Sequence, residues 1–162
     1  MTKYIPYLLY FWLIAMHQVF LSDVTSIFGV KINLPLLIVA LVAVYKEEIE
    51  ILWFGFFVGL IGFQGANDYM IWQVLMVTVI GVVTYHFKER LNLESLFARL
   101  ILVFSVILVH NIFTLLLELN EGFFNTLFVN ALPSAVYTTI FGWIFFLIKN
   151  DRLTYKKIKS IF

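Results

Sequence analysis

The stretch LILVFSVILVHNIFTLLL, from Leu100 to Leu117, decides the fold of this chain. It has no charged residue, and an apolar helix of ~20 residues (range ~17–25) is long enough to cross a bilayer. Similar stretches fill most of the 162 residues, of which 62% are hydrophobic and 13% are charged. A soluble domain is ~45–50% apolar and ~25% charged. The composition therefore predicts a helical membrane protein with several spans.

The charged clusters divide the sequence into six apolar stretches within a single transmembrane domain, residues 1–162. We expect an all-α, polytopic bundle with spans near 4–21, 32–45, 51–63, 69–87, 100–117 and 126–148. The first stretch is too long for the apolar core of a cleaved signal peptide, so we expect it to be retained. The second and third spans are short and joined by KEEIE (46–50), so a re-entrant hairpin is an alternative for this pair.

The basic residues predict the orientation, because Lys and Arg accumulate in the cytoplasmic loops of membrane proteins. With six spans and a cytoplasmic N-terminus, only Lys31 lies outside. Both termini are then cytoplasmic, and the cytoplasmic set is Lys3, Lys46, Lys88, Arg90, Arg99, Lys149, Arg152, Lys156, Lys157 and Lys159.

Gly55, Gly59 and Gly62 follow a G-x-x-x-G-x-x-G pattern in the third span. Small residues at this spacing form a flat face on which a second helix can approach closely. We interpret this face as a contact within the bundle. A homodimer interface is the alternative.

Strongly polar side chains collect in the outer halves of the predicted spans. Such residues usually face the bundle interior or a cavity. Interhelical hydrogen bonding that only fixes the bundle is one interpretation. The other is an outward-facing cavity or a groove for a partner, lined by His17, Gln18, His110, Asn111 and Asn130.

The sequence offers little for catalysis. It contains no Cys, no H-E-x-x-H, no G-x-S-x-G and no phosphate-binding glycine loop. Glu118 is the only carboxylate expected near His17 and His110. Two histidines and one carboxylate at this depth make a poor metal site. We therefore expect neither an enzyme nor a cofactor, and no nucleic-acid partner.

Several short motifs resemble those of the rod shape-determining protein MreD family. They begin at Gln18 and continue through INLPLLIV (32–39), GFFVGL (55–60), LPSAVY (132–137) and the basic tail. Two positions depart from the family pattern. Phe63 stands where the family often has Asp, and Thr138 follows Tyr137 where it often has Asn.

The resemblance implies a non-enzymatic component of the bacterial cell-elongation machinery in the cytoplasmic membrane. Its partners would be an MreC-like single-span periplasmic protein and, with it, the RodA glycosyltransferase and its transpeptidase. Such a protein supports peptidoglycan synthesis and cell shape.

The rival is the substrate-capture S-component of an energy-coupling factor vitamin transporter, which has a similar six-span architecture. S-components commonly present an A-x-x-x-A face in the first span, whereas the first span here contains only Ala15. Genomic neighbours would discriminate the two.

Overall fold

The computed structural model describes residues 5–63, 69–90, 95–118 and 122–149. Within these ranges the chain forms six helices and no strand. An isolated backbone bridge joins Ile27 and Val30. The helices are α1 (Ile5–Leu21), α2 (Leu34–Tyr45), α3 (Glu48–Gly62), α4 (Met70–Arg90), α5 (Leu96–Leu117) and α6 (Phe123–Lys149).

Three of these helices are long and apolar enough to cross a membrane: α4 with 21 residues, α5 with 22 and α6 with 27, within the described ranges. The all-α prediction is thus confirmed, but only three of the six predicted spans form described helices of at least 18 residues, and α1, α2 and α3 are shorter. α2 and α3 contain 12 and 15 residues. At 1.5 Å per residue α2 covers ~18 Å, well short of the ~30 Å bilayer core.

α2 lies at the centre of the bundle. The Asn33 side chain accepts a hydrogen bond from the Leu36 amide at its start, and Pro35 occupies the first turn, where its missing N–H costs nothing. The helix ends at Lys46, whose backbone is extended. Helix residues on every face are buried, including Leu36, Val39, Ala40 and Ala43, none of which has any exposed surface.

The KEEIE turn between α2 and α3 lies at one end of the bundle. Lys88 Nζ donates to the Lys46 carbonyl over 3.2 Å. Lys149 Nζ lies 3.1 Å from the centre of the Tyr45 ring, and Arg99 donates to the Tyr45 hydroxyl over 3.5 Å. These cations define what we call the basic end. A re-entrant hairpin would bury the KEEIE charges at mid-depth, which this position does not support.

α3 and α4 pack against each other at very short range through two glycines. A Cβ added to Gly59 would lie 2.8 Å from Val74 Cα, and one on Gly55 would lie 3.1 Å from Thr78 Cα. Gly62 faces α2 instead, where an added Cβ would lie 2.8 Å from Pro35. All three glycines are buried. The glycine face of α3 is therefore used within the bundle and not presented to a second copy.

α1 and α6 each contain a π-helical turn far from the basic end, at His17–Leu21 and Leu127–Ala131. The Ser22 amide donates to the carbonyl of His17, five residues earlier, over 2.8 Å. Such insertions of one residue into a helix are frequent at functional sites. Both turns lie beside the cavities described next.

Candidate functional site: a polar cavity at the end opposite the basic end

The start of α2 lies part-way down the bundle, because it is fixed to α6. The backbone N–H of Asn33 donates a hydrogen bond to Thr138 Oγ1 over 3.0 Å. Thr138 is fifteen residues from the first residue of α6 and eleven from its last, which is ~22 Å and ~16 Å along the helix. α2 thus occupies only the half of the bundle near the basic end. The other half is left for non-helical chain and a cavity.

The segment between α1 and α2 is anchored on α6. Ser134 Oγ donates to the Lys31 carbonyl over 2.8 Å, and the Tyr137 hydroxyl donates to the Thr25 carbonyl over 3.0 Å. Irregular backbone at membrane depth needs such protein partners, or water in a cavity, because lipid supplies no hydrogen bonds.

The tip of this segment is a tight turn. Phe28 and Gly29 have φ values of +52° and +81°, and the Ile27 and Val30 backbones exchange hydrogen bonds of 3.1 and 2.9 Å. Positive φ at two successive positions is typical of a type I′ turn, which strains a residue such as Phe but not Gly. The Phe28 side chain is fully exposed.

Lys31 lies just beyond the turn and pairs with Asp23, whose carboxylate is 2.6 Å from Lys31 Nζ. The hydrogen bond from Lys31, and its positive charge, hold the pKa of Asp23 below its usual value. The positive charge at this end of the bundle is thereby balanced.

A cavity of about 360 Å³ opens between α4, α5, α6 and this segment. We call this end of the bundle the cavity end. Its polar lining comes from four separate parts of the chain and consists of Lys31, Asn33, Tyr69, Gln73, His110, Asn111, Thr114, Glu118, Thr126, Asn130 and Ser134. Apolar lining includes Phe63, Leu115 and Leu117.

Most of the polar groups on the cavity floor are paired with one another. Asn111 Nδ2 donates to the Ala131 carbonyl over 3.0 Å, and Asn111 Oδ1 accepts from Asn33 Nδ2 over 3.4 Å. Gln73 Nε2 donates to Thr114 Oγ1 over 3.0 Å. These bonds join α2 to α5, α5 to α6 and α4 to α5.

His110 is the exception. Its side chain is only 2% exposed, yet neither ring nitrogen has a hydrogen-bond partner among the described residues. One face of the imidazole lies against Phe63, with 5.0 Å between the ring centres. A buried polar group without a partner costs ~1–3 kcal/mol. The imidazole thus holds, at the wall of the cavity, a donor and an acceptor that make no hydrogen bond to the described residues.

His17 and Gln18 line a neighbouring hollow of about 330 Å³ rather than the cavity itself. Gln18 Nε2 donates to the Gly62 carbonyl over 2.7 Å, and His17 Nε2 lies 3.4 Å from Thr25 Oγ1. The two spaces share Lys31, Asn33, Phe63 and Ser134 as lining residues.

The five residues predicted to line one cavity are therefore divided between two adjoining spaces. His110, Asn111 and Asn130 line the larger one, with Asn130 exposed at its mouth, and His17 and Gln18 line the smaller one. The division arises because the start of α2 and Phe63 stand between α1 and α5.

Sequence reasoning missed Asn33, Gln73 and Thr114 as members of this site. Gln73 was recognisable, as an amide one turn into an apolar span. Asn33 is the N-cap of α2 in the structure. Its second role depends on Asn111, 78 residues away, and no local pattern contains that information.

Glu118 lines the cavity and is exposed. Within the described ranges no three His, Asp or Glu residues come together in a way that could hold a metal ion.

Comparisons with protein-family models, curated proteins and solved structures give no match. The resemblance to the MreD family rests on the quoted motifs alone.

Proposed function

We propose that this chain is a non-enzymatic membrane component of a bacterial cell-elongation complex. In this proposal it binds an MreC-like single-span periplasmic protein and supports peptidoglycan synthesis by RodA and its transpeptidase. All six helices cross or enter the cytoplasmic membrane, with the basic end and both termini in the cytoplasm.

The observation that carries the proposal is where the resembling motifs lie. INLPLLIV forms the capped start of the central helix α2, and GFFVGL provides the two glycines against α4. LPSAVY provides Ser134 and Tyr137, which anchor the segment between α1 and α2. Each motif thus forms a helix contact, so a protein that shares them would share this arrangement.

The two departures from the family pattern also lie at contacts. Phe63 packs on His110, whose nitrogens lack partners, so an Asp near this position would stand beside a basic group. Thr138 accepts from the Asn33 amide and donates to the Ser134 carbonyl over 2.7 Å.

The proposed orientation predicts the side of the membrane on which two positions lie, one between α3 and α4 and one at the end of α6. Reporter fusions after Asp68 and after Ile148 would give periplasmic and cytoplasmic readings, respectively. A cytoplasmic reading after Asp68, or a periplasmic one after Ile148, contradicts six spans with cytoplasmic termini.

The function itself is tested by depleting the protein in its host and by affinity capture from host membranes. Rod-shaped cells should become round, and the tagged chain should retain a single-span periplasmic protein. Normal cell shape together with failure to capture such a protein contradicts the proposal.

The polar cavity favours a second candidate, an S-component of an energy-coupling factor transporter. A site that opens to the outside and narrows to buried hydrogen-bonding groups suits solute capture. Co-purification with a coupling subunit and an ATPase, instead of the periplasmic protein, would establish this alternative.

A further inference from the structure

The geometry points to a binding site for an uncharged small molecule in the cavity at the cavity end, with His110 as its principal hydrogen-bonding group. The matching ligand is a planar ring that carries an amide or an equivalent donor–acceptor edge. This inference concerns the cavity and not the partner protein, so it stands or falls separately from the proposed function.

The imidazole of His110 is 2% exposed, and neither of its nitrogens makes a hydrogen bond to a described residue, although the Asn111 side chain lies close to it. A neutral imidazole has one donor and one acceptor. Packing fixes the ring against Phe63. A ligand that accepts from one nitrogen or donates to the other recovers the cost of its burial.

The polar lining of the cavity favours an uncharged ligand. The floor of the cavity consists of amide and hydroxyl side chains, in the pairs Asn33–Asn111 and Gln73–Thr114. The cation in the lining, Lys31, is paired with Asp23, and the carboxylate of Glu118 is exposed. Transfer of an unpaired charge into such a site is costly, whereas a neutral polar group finds partners.

The size and the aromatic lining of the cavity suit a small ring. A cavity of about 360 Å³ is at the small end of the ~300–1,000 Å³ range of ligand pockets. Phe63 and Tyr69 supply aromatic surface within the lining, against which a flat ring can stack. The space accommodates one small ring compound.

The chain lacks cysteine, so single cysteines can be introduced without altering a native thiol. Thr114→Cys places a thiol in the cavity, and Leu116→Cys is the matched control. Leu116 is 56% exposed, lies nearer the end of α5 and does not line the cavity. A charged, membrane-impermeant thiosulfonate reagent reacts only where water reaches. We expect Thr114→Cys in proteoliposomes to react faster than Leu116→Cys despite its greater depth.

The ligand probe is nicotinamide, and its charged counterpart nicotinate is the control. Nicotinamide should slow labelling of Thr114→Cys, by about tenfold at about ten times its dissociation constant, because only the empty fraction reacts. Nicotinate should not. His110→Leu in the same background should abolish protection and leave the unprotected labelling rate unchanged.

Three outcomes overturn the inference: labelling of Thr114→Cys no faster than Leu116→Cys, no protection by nicotinamide up to its solubility limit, or equal protection by nicotinate. If Thr114→Cys does not fold, Asn130→Cys at the mouth replaces it, with the same expectations for the two probes. Capture of the periplasmic partner is measured on the same variants. If nicotinamide fails to protect Thr114→Cys while the periplasmic partner is still captured, the ligand site alone is refuted.

Discussion

The helices on the two sides of α2 contact one another in opposite ways. On one side α3 meets α4 through glycines, and a single added methyl group would meet backbone atoms. On the other side, at the cavity end, α4, α5 and α6 separate around a cavity of about 360 Å³. We call the α3–α4 contact the closed side and the region of the cavity the open side. Close packing holds the helices together on the closed side, and side-chain hydrogen bonds hold them together on the open side. The closed side can therefore be rigid, while the open side leaves space for a bound molecule.

Gly59→Ala should produce the largest effect, on the closed side. The new Cβ would lie 2.8 Å from Val74 Cα, which cannot move without moving α4. We expect a loss of about 1–3 kcal/mol in the free energy of unfolding, as for other overpacked interiors. Denaturant unfolding in mixed micelles would measure it. A stability equal to that of the wild type would contradict backbone contact at this position.

On the open side, Gln73→Leu should cost less, about 1–2 kcal/mol, because it leaves Thr114 without its partner across α4 and α5. His110→Leu is the matched variant at an equally buried position. It removes a group that has no bond to lose and should leave the unfolding free energy unchanged or raise it. Equal losses for the two variants would show that His110 is paired after all.

Gly142→Ala, at the contact of α6 with α2, is a reference for Gly59→Ala and should have a smaller effect. The added Cβ would lie 3.2 Å from Leu37 Cδ1, the end of a flexible side chain. Because alanine also favours the helix by ~1 kcal/mol, the unfolding free energy should change by less than about 1 kcal/mol. Thermal melts of Gly142→Ala and Gly59→Ala, run side by side, separate contact with side chain from contact with backbone.

The smallest effect should come from the Asp23–Lys31 pair at the rim of the open side, which is exposed to solvent. Lys31 lowers the pKa of Asp23 in the folded state. The pair therefore stabilises the fold above the usual Asp pKa, and the contribution disappears as the pH falls through the lowered value. Asp23→Asn should abolish this slight acid sensitivity. Identical pH–stability curves for variant and wild type would mean that the pair contributes nothing.

The same contrast explains what the sequence could and could not predict. Helix number, the approximate helix bounds and the glycine face depend on apolar runs and residue spacings within about twenty residues, so the sequence predicted them. The apolar run that ends at Tyr45 predicted a short membrane span over residues 32–45. The sequence could not show that its start is tied to Thr138 at mid-depth. The split of the polar cluster into two spaces has the same cause, since Asn33 and Phe63 stand between α1 and α5.

The placement of α2 also constrains the order in which the protein is made. The bond from the Asn33 amide to Thr138 joins residues 105 positions apart. At ~5–20 residues per second, translation takes on the order of 5–20 s to supply the second partner after the first. During that interval the Asn33 backbone amide lacks its hydrogen-bond partner on α6. The final position of α2 is fixed only when the last helix enters, so synthesis from the N-terminus leaves the core to be completed from its C-terminal side.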